Sequence, residues 1–239
     1  MRRWFGFDPV ADREGFSVAY PDGVDRHWSY GRPISQPMPA VDGTPVDDLA
    51  LLSRLIERLV ADGSADSRRI YIVGHSNGGL MAFTAACALA DRLAAVAVVL
   101  TGITEYQVAD CPLGRPVPML VLGATADPLQ AYDGATARHG RLLSVPDTVE
   151  FWRMRNECRD RSLEVLPDRE PADGSTVATI HSRDCRDGAE VLLIRIDGGG
   201  HLPPSIAFDR RTSEARLGRQ NRDIETSEEV WSFLRRFRR

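Results

Sequence analysis

Short apolar runs alternate with stretches of helical periodicity along most of the chain. Runs with little polar alternation are typical of parallel strands, which are buried on both faces. The predicted strands are 16–20, 69–73, 94–100, 118–123 and 190–196. Because these strands are separated by helical segments, their order predicts an α/β fold with a mainly parallel sheet flanked by helices. Since no internal repeat or clear linker is visible, we expect residues 1–239 to form one domain.

Helix signals fill the spaces between these strands. The predicted helices are a segment that starts at Thr44-Pro45-Val46-Asp47 and ends before Gly63, then 79–90, 145–158 and a last helix from Thr226. Thr226 and Glu229 have the spacing of a capping box. The inner face of the last helix is predicted to comprise Val230, Phe233, Leu234 and Phe237. The polar stretches 159–188 and 202–224 are expected to be irregular.

The segment Gly74-His75-Ser76-Asn77-Gly78-Gly79 joins a predicted strand to a predicted helix. This is the G-x-S-x-G pattern in the context of a nucleophile elbow. A tight turn lifts the Ser76 hydroxyl out of the sheet, and we expect Gly74 and Gly78 to leave room where side chains would clash. The backbone N–H of Asn77 is then a candidate oxyanion donor. We predict that Ser76 is a nucleophile; the simpler alternative is an ordinary serine in a glycine-rich turn.

Two later loops carry an acid and a base in the order that accompanies such a serine. Asp127 follows the fourth predicted strand, and His201 follows the fifth after three glycines. We expect the glycines to form a flexible turn that lets the imidazole reach Ser76. Taken alone, Asp127 also fits a turn before Pro128, and His201 also fits a solvated loop histidine.

Other acids and histidines are weaker candidates. Asp133 and Asp197 are the rivals to Asp127, but Asp197 is too close to His201 in sequence to orient it from another loop. The remaining histidines outside the motif, His27, His139 and His181, lie in polar segments and are expected to be solvated. A metal trio of His75, Asp127 and His201 is conceivable, but nothing in the spacing favours it.

Composition excludes several function classes. The chain has no lysine, so its 30 basic residues are all arginine, against 34 acidic residues and a net charge of −4. Without a basic excess, nucleic acid is not expected as a partner. Without lysine, neither Schiff-base catalysis nor a Walker-type phosphate loop can form. The cysteines lack zinc-site spacing, and no apolar run approaches the length of a membrane span. We therefore expect no metal, cofactor or membrane segment.

Several segments together resemble one family of secreted esterases. They are GHSNGG, GATADP and DGGGH, with AYPDGVDRHW near the start, VPDTVEFWRMRNEC in the middle and LGRQNRDIETSEEVWSFL near the end. The family comprises polyhydroxybutyrate depolymerases, feruloyl esterases and acetylxylan-type esterases, with an α/β-hydrolase fold. The resemblance implies hydrolysis of small-molecule or polymeric carboxylic esters through an acyl-enzyme. It implies Ser76 as nucleophile, Asp127 as acid and His201 as base, with no cofactor.

The resemblance also implies a substrate cleft. Trp28, in the PDG…W stretch, is expected to line its acyl or aryl side. Family members usually have Trp-Pro shortly after the catalytic histidine, whereas this chain has Leu202 followed by two prolines. That loop touches substrate, so Leu202 is a candidate binding residue and the identity of the ester stays open. His75 is a further candidate for substrate binding, although its side chain is expected to face away from the nucleophile's role.

The four cysteines suggest disulfides. Cys158 and Cys185 flank a polar segment that a bridge would close, whereas Cys87, in an apolar helical run, is equally consistent with a buried free thiol. The resemblance implies a Cys158–Cys185 bridge and allows a second pair, Cys87 with Cys111. Disulfides are typical of oxidising compartments, so we expect secretion of the full-length protein.

The start of the chain differs from that of the family. It opens in what resembles the helix after the family's third strand, without a signal peptide, the leading strands or the His-Gly turn that supplies a second oxyanion N–H. Because a missing central strand would leave buried backbone groups unpaired, we expect Met1 to be an internal methionine. If the chain acts as it stands, we expect weak hydrolysis, since one lost oxyanion donor costs roughly 10²–10³ in rate. The alternatives are a catalytically impaired binding module of the same fold and a peptidase-type acyl hydrolase.

Overall fold

The computed structural model describes residues 2–30, 46–137 and 140–239. The α-helices are α1 (Arg2–Phe5), α2 (Phe7–Glu14), α3 (Asp48–Ala61), α4 (Asn77–Ala88), α5 (Glu105–Asp110), α6 (Val145–Arg155), α7 (Glu214–Leu217) and α8 (Thr226–Leu234). The strands are β1 (Tyr71–His75), β2 (Ala95–Val99), β3 (Met119–Ala124), β4 (Ala135–Ala137), β5 (Gly140–Leu142), β6 (Asp160–Val165), β7 (Thr176–Arg183) and β8 (Val191–Asp197).

A six-stranded sheet with the order β1-β2-β3-β8-β7-β6 forms the centre of the fold. The strands β1, β2, β3 and β8 run parallel, whereas β7 and β6 extend the sheet in antiparallel pairing. The short strands β4 and β5 pair separately. Within the described residues, β1 has a ladder partner on one side only. The predicted mainly parallel sheet is therefore confirmed, with an antiparallel extension that was not predicted.

The apolar core lies on both faces of the parallel strands. One face packs against α4 and α6, where Phe83 and Trp152 are fully buried. The opposite face packs against the N-terminal helices and α8, through residues such as Phe5 and Phe233. Because helices cover both faces, every residue of β2 and β3 is buried. These two layers of helices fix the sheet in place, including the carboxyl ends of the parallel strands, where the candidate catalytic residues lie.

The segment 16–20 is not a strand, which corrects the sequence prediction. Only alternate side chains are covered, since Phe16 and Val18 are half-buried while their neighbours are exposed. However, Phe16 stacks on Trp231 of α8 with ring centroids 3.9 Å apart. The segment therefore buries its apolar side against a helix, and among residues 2–30, 46–137 and 140–239 no strand pairs with it.

The structure also revises how two of the predicted helices begin. Asp47 caps α3, since its carboxylate accepts the N–H of Ala50 at 2.8 Å; Thr44 and Pro45 lie outside the described residues. The helix α8 does begin at Thr226, but the predicted capping box is absent. The Thr226 hydroxyl instead donates to the carbonyl of Pro204 at 2.7 Å. A tertiary partner thus replaces the local cap.

The stretch 159–188 is not irregular, because it contains β6 and β7. The composition hides these strands, since β6 is exposed along its whole length and carries polar residues. Antiparallel strands can face water on one side, so they need no continuous apolar run. The stretch 202–224 is mostly irregular, as predicted, apart from short helical turns that include α7.

All four cysteines are paired. Cys87 joins Cys111 with a Cα–Cα distance of 5.0 Å, and Cys158 joins Cys185 with a Cα–Cα distance of 3.8 Å. The first bridge connects α4 to the end of α5, and the second connects the end of α6 to the end of β7. The free-thiol interpretation of Cys87 is therefore wrong. In the described ranges, no helix is long and apolar enough to cross a membrane.

Candidate active site

Ser76 occupies the turn between the end of β1 and the start of α4. Its backbone has φ 54° and ψ −120°, a conformation that costs energy in a residue with a side chain. The turn is held from both sides: the Ser76 N–H donates to Val99 at 2.9 Å, and the Ser76 carbonyl accepts from Gly79 at 2.8 Å. This is the strained strand-to-helix geometry predicted for a nucleophile elbow.

Two of the glycines around Ser76 are required by close packing. A Cβ atom on Gly74 would lie 2.1 Å from the Gly78 carbonyl oxygen, and one on Gly79 would lie 2.7 Å from the Thr101 methyl group. By contrast, a Cβ on Gly78 would meet only the Trp28 indole, at an ordinary 3.7 Å. The sequence prediction was therefore correct for Gly74, wrong for Gly78, and missed Gly79.

Asp127 and His201 form a buried hydrogen-bonded pair. His201 Nδ1 lies 2.6 Å from Asp127 Oδ2, and the two side chains are 5% and 1% exposed. The other oxygen, Oδ1, accepts the backbone N–H groups of Leu129 and Gln130 at 2.8 Å each. With both oxygens engaged, the carboxylate is fixed in orientation and holds one edge of the imidazole. The rival acids are differently placed, since Asp133 is exposed and Asp197 pairs with Arg195.

The three glycines before His201 form a packed turn, which corrects the expectation of a flexible one. A Cβ on Gly199 would lie 2.5 Å from Ile196, and one on Gly200 would lie 2.3 Å from the Leu217 carbonyl oxygen. The turn is also tied to the Asp127 loop, because Gly198 donates to the Thr125 hydroxyl and Ala126 donates to the Gly199 carbonyl, each at 2.9 Å. The two loops therefore hold the acid and the base in register.

A buried polar network behind the His201 loop was not identified from the sequence. The Gln220 amide donates to the Pro203 carbonyl at 3.1 Å. The Asn221 amide donates to Asp223 at 2.8 Å and to Ser175 at 2.9 Å. These side chains are almost fully buried, although they lie in a polar stretch. The only sequence signal was their place in a segment that matches the esterase family.

The Asn77 side chain holds the backbone of Trp28. Its amide oxygen accepts the Trp28 N–H at 2.6 Å, and its amide nitrogen donates to the Trp28 carbonyl at 3.3 Å. The indole lies beside Gly78, one residue further along the elbow. The sequence assigned only the backbone N–H of Asn77 to the site, so this positioning contact is new. It brings an aromatic ring next to the candidate nucleophile.

His75 and Leu202 lie beside the pair of loops but are largely enclosed. The His75 ring packs against the His201 ring with centroids 5.0 Å apart. Burial, with a smaller contribution from His201, lowers the pKa of His75 to about 3. Leu202 is only 2% exposed, so it offers little surface to a substrate in this conformation. Substrate binding by either residue stays a prediction.

The remaining candidates lie away from the pair. His27 is exposed, as expected, and contacts the Asp25 carbonyl. His181 on β7 is half-buried and pairs with Glu190, just before β8, so the expectation of a solvated His181 is wrong. His139 lies outside the described residues. In the part of the chain that the structure describes, the Ser76 hydroxyl makes no hydrogen bond to His201. Catalytic hydrogen bonds of this kind often tighten only when substrate binds. No group of metal-ligating side chains occurs in the same ranges.

Known proteins similar to this chain are esterases. "Putative esterase NocK" from Nocardia uniformis subsp. tsuyamanensis is 30% identical, and the match covers 98% of this chain and 69% of that protein. Feruloyl esterase B from Piromyces equi is 27% identical over 80% of this chain, and feruloyl esterase D from Neurospora crassa is 24% identical over 84%. The matches span only 35% and 58% of those two proteins. No protein-family model matches the chain.

A solved structure supports the fold assignment. The acetyl xylan esterase from Aspergillus awamori superposes with a TM-score of 0.52 at 13% identity, covering 82% of this chain and 76% of that one. At such low identity the similarity is evidence for the fold alone, which is that of an α/β-hydrolase. Together with the extent of the NocK match, these findings show that the chain belongs to the same esterase family as NocK and is an ester-hydrolysing enzyme.

Proposed function

We propose that the chain hydrolyses carboxylic esters through a Ser76–His201–Asp127 triad and a covalent acyl-enzyme. The buried hydrogen bond between His201 and Asp127 is the observation that carries this proposal. It joins an acid and a base that are 74 residues apart in sequence, so it depends on the tertiary fold. The strained backbone of Ser76 supports the role of nucleophile, because such strain concentrates at functional sites.

The reaction follows from the roles of these three groups. The Ser76 hydroxyl attacks the ester carbonyl while His201 Nε2 takes its proton, and Asp127 stabilises the imidazolium through Nδ1. The oxyanion that forms accepts the backbone N–H of Asn77 at the start of α4. His201 then protonates the leaving alcohol, which leaves Ser76 acylated. Water, deprotonated by the same imidazole, releases the acid and restores the enzyme.

We propose aryl or acetyl esters as the substrate class. Relatives of the chain include feruloyl esterases and an acetylxylan esterase/xylanase from Neocallimastix patriciarum. The Trp28 indole, held beside the elbow by Asn77, supports an aromatic group on one wall of the site. Polyester hydrolysis, which the polyhydroxybutyrate depolymerase resemblance implies, belongs in the same substrate panel. The two disulfides support action in an oxidising, extracellular compartment.

The decisive experiment compares Ser76→Ala with the wild-type chain. We expect the variant to lose hydrolysis of p-nitrophenyl acetate and methyl ferulate and to lose labelling by a fluorophosphonate. Ser162→Ala, on the exposed strand β6, is the matched control and should retain both. Equal hydrolysis by Ser76→Ala and wild type would refute the triad.

The same assays separate the other functions that the sequence left open. A wild-type chain that is folded, yet neither reacts with the fluorophosphonate nor hydrolyses any ester in the panel, would favour a binding module. Faster cleavage of peptides than of esters would favour a peptidase-type acyl hydrolase.

A further inference from the structure

His75 is a buried residue that the proposed reaction does not use. It ends β1, directly before Ser76, and is 9% exposed. Its Nε2 atom has no hydrogen-bond partner within the described residues. Buried polar atoms are normally paired, so an unpaired one calls for an explanation. The imidazole is therefore held here by packing of its ring rather than by a hydrogen bond at Nε2.

Aromatic rings enclose His75 on several sides. Two of them come from α1, where Trp4 stacks on the imidazole and Phe5 meets it edge-on, both with centroids 5.9 Å away. The third is the His201 ring at 5.0 Å, tilted by 39°. The Arg210 guanidinium lies 4.5 Å from the centroid of the Trp4 ring and makes a cation–π contact that supports this wall.

We propose that His75 is a positioning residue that restrains the imidazole of His201 by packing against its ring. The hydrogen bond that His201 Nδ1 donates to Asp127 fixes one edge of the ring, but a single bond leaves the ring free to rotate about it. Contact with the His75 ring removes that freedom. The proposal rests on the proposed triad, because it assigns His75 a task only if His201 is the base.

The electrostatics at His75 are compatible with this task. His201 becomes positively charged during the proposed reaction, so a charged neighbour would oppose catalysis. Burial among the rings of α1 lowers the pKa of His75 to about 3 and keeps it neutral at physiological pH. A neutral imidazole can therefore pack against an imidazolium without repelling it.

Steady-state kinetics on His75→Ala and His75→Phe provide the first test. Loss of the ring lets His201 rock, and small misplacements of catalytic groups cost up to about 10²-fold in rate. We expect kcat to fall about 10- to 100-fold in His75→Ala, with KM unchanged within about twofold. His75→Phe restores an aromatic ring of similar width and should recover most of the loss.

A distant histidine serves as the control. His181→Ala removes a half-buried histidine from β7, which should lower stability but leave kcat near the wild-type value. Equal losses of kcat in His75→Ala and His75→Phe would overturn the proposal. So would an equal loss of kcat in His181→Ala, because the effect would then follow stability alone.

Proton NMR tests the packing independently of activity. The Nδ1 proton of His201, in its short bond to Asp127, should give a far-downfield resonance that is sharp in wild type and in His75→Phe. In His75→Ala a rocking ring exchanges this proton with water, so the resonance should broaden or vanish. An unchanged resonance in His75→Ala would refute the proposal.

The NMR experiment also distinguishes two kinds of failure. It can be recorded on Ser76→Ala and on a chain that hydrolyses nothing, so loss of the proposed function would not hide the result. If His75→Ala does not fold, Trp4→Leu provides the same test, since it removes the wall behind His75 and keeps the imidazole. The resonance should then broaden; a sharp one would count against the proposal.

Discussion

The parallel and antiparallel parts of the sheet differ in burial and in the chemistry they carry. The parallel strands β2 and β3 are entirely buried, whereas β6, at the antiparallel edge, is exposed along its length. Ser76, Asp127 and His201 all follow parallel strands. The comparison teaches that the candidate catalytic groups follow the better-buried strands, because β3 is fully buried and every residue of β1 and β8 is buried or half-buried.

The largest expected effect is on activity. Asp127→Asn should reduce kcat about 10⁴-fold while leaving the fold intact, because the amide no longer holds the imidazole in the required tautomer. Asp160→Asn, at the start of the exposed β6, should leave kcat unchanged. Ester hydrolysis by the two purified variants checks the prediction. Similar rates for both would mean that the acid lies elsewhere.

The next effect concerns core packing. Leu120→Ala in β3 should lower the free energy of unfolding by about 2–5 kcal/mol, since it leaves a cavity in a fully buried strand. Leu163→Ala in β6 should change it by less than about 0.5 kcal/mol, because that side chain is already largely in water. Urea denaturation measures both. A larger loss from Leu163→Ala would reverse the comparison.

Two glycines give a matched pair with an effect of intermediate size. Gly200→Ala should cost about 2–3 kcal/mol of stability, because the new Cβ would lie 2.3 Å from the Leu217 carbonyl oxygen. Gly188→Ala, between β7 and β8, meets no atom within 4 Å and should cost about 1–2 kcal/mol from its left-handed backbone alone. Only Gly200→Ala should also displace His201 and reduce hydrolysis. Equal activity in the two variants would contradict the packed-turn interpretation.

The smallest expected effect is a pH dependence of stability. Below its ordinary pKa near 6.5, His75 takes up a proton in the unfolded chain but stays neutral in the folded one, where burial lowers the pKa to about 3. The folded state therefore loses about 2 kcal/mol from this residue between pH 7 and pH 5.

A single substitution isolates this contribution. His75→Phe should remove that loss, which urea denaturation at pH 5, 6 and 7 can measure. Burial also lowers the pKa of His181, which lies in the antiparallel part of the sheet. The pH dependence of stability in His181→Phe therefore measures the corresponding contribution from that part. The same pH slope in His75→Phe as in wild type would contradict the assignment.

The sequence predicted the parallel part of the fold far better than the antiparallel part. Apolar runs such as 94–100 favour burial on both faces, which a parallel strand between two layers of helices provides. The exposed β6 has no such constraint, and its polar composition is also that of an irregular segment. The prediction of a strand over 16–20 is wrong for the opposite reason. The segment is apolar, but its residues pack on α8 rather than pairing with another strand.

The candidate site shows the same division. Ser76, Asp127 and His201 could be proposed from motif order, and the strained turn at Ser76 follows from its glycines. The roles of individual glycines could not, because Gly79 and Gly200 are constrained by Thr101 and Leu217, which are distant in sequence. The contact between Asn77 and Trp28 depends on which segments of the chain the fold brings together, and so does the packing of His75 on His201.

By itself, the sequence determined the fold class, the order of the parallel strands along the chain and the three candidate catalytic residues. These are local properties, since apolar periodicity and glycine-rich turns act over a few residues. Only the tertiary structure decided the antiparallel extension, the hydrogen bond between Asp127 and His201, and the enclosure of His75. Each of these joins groups far apart in the chain, and their energies depend on burial and close approach that no short segment encodes.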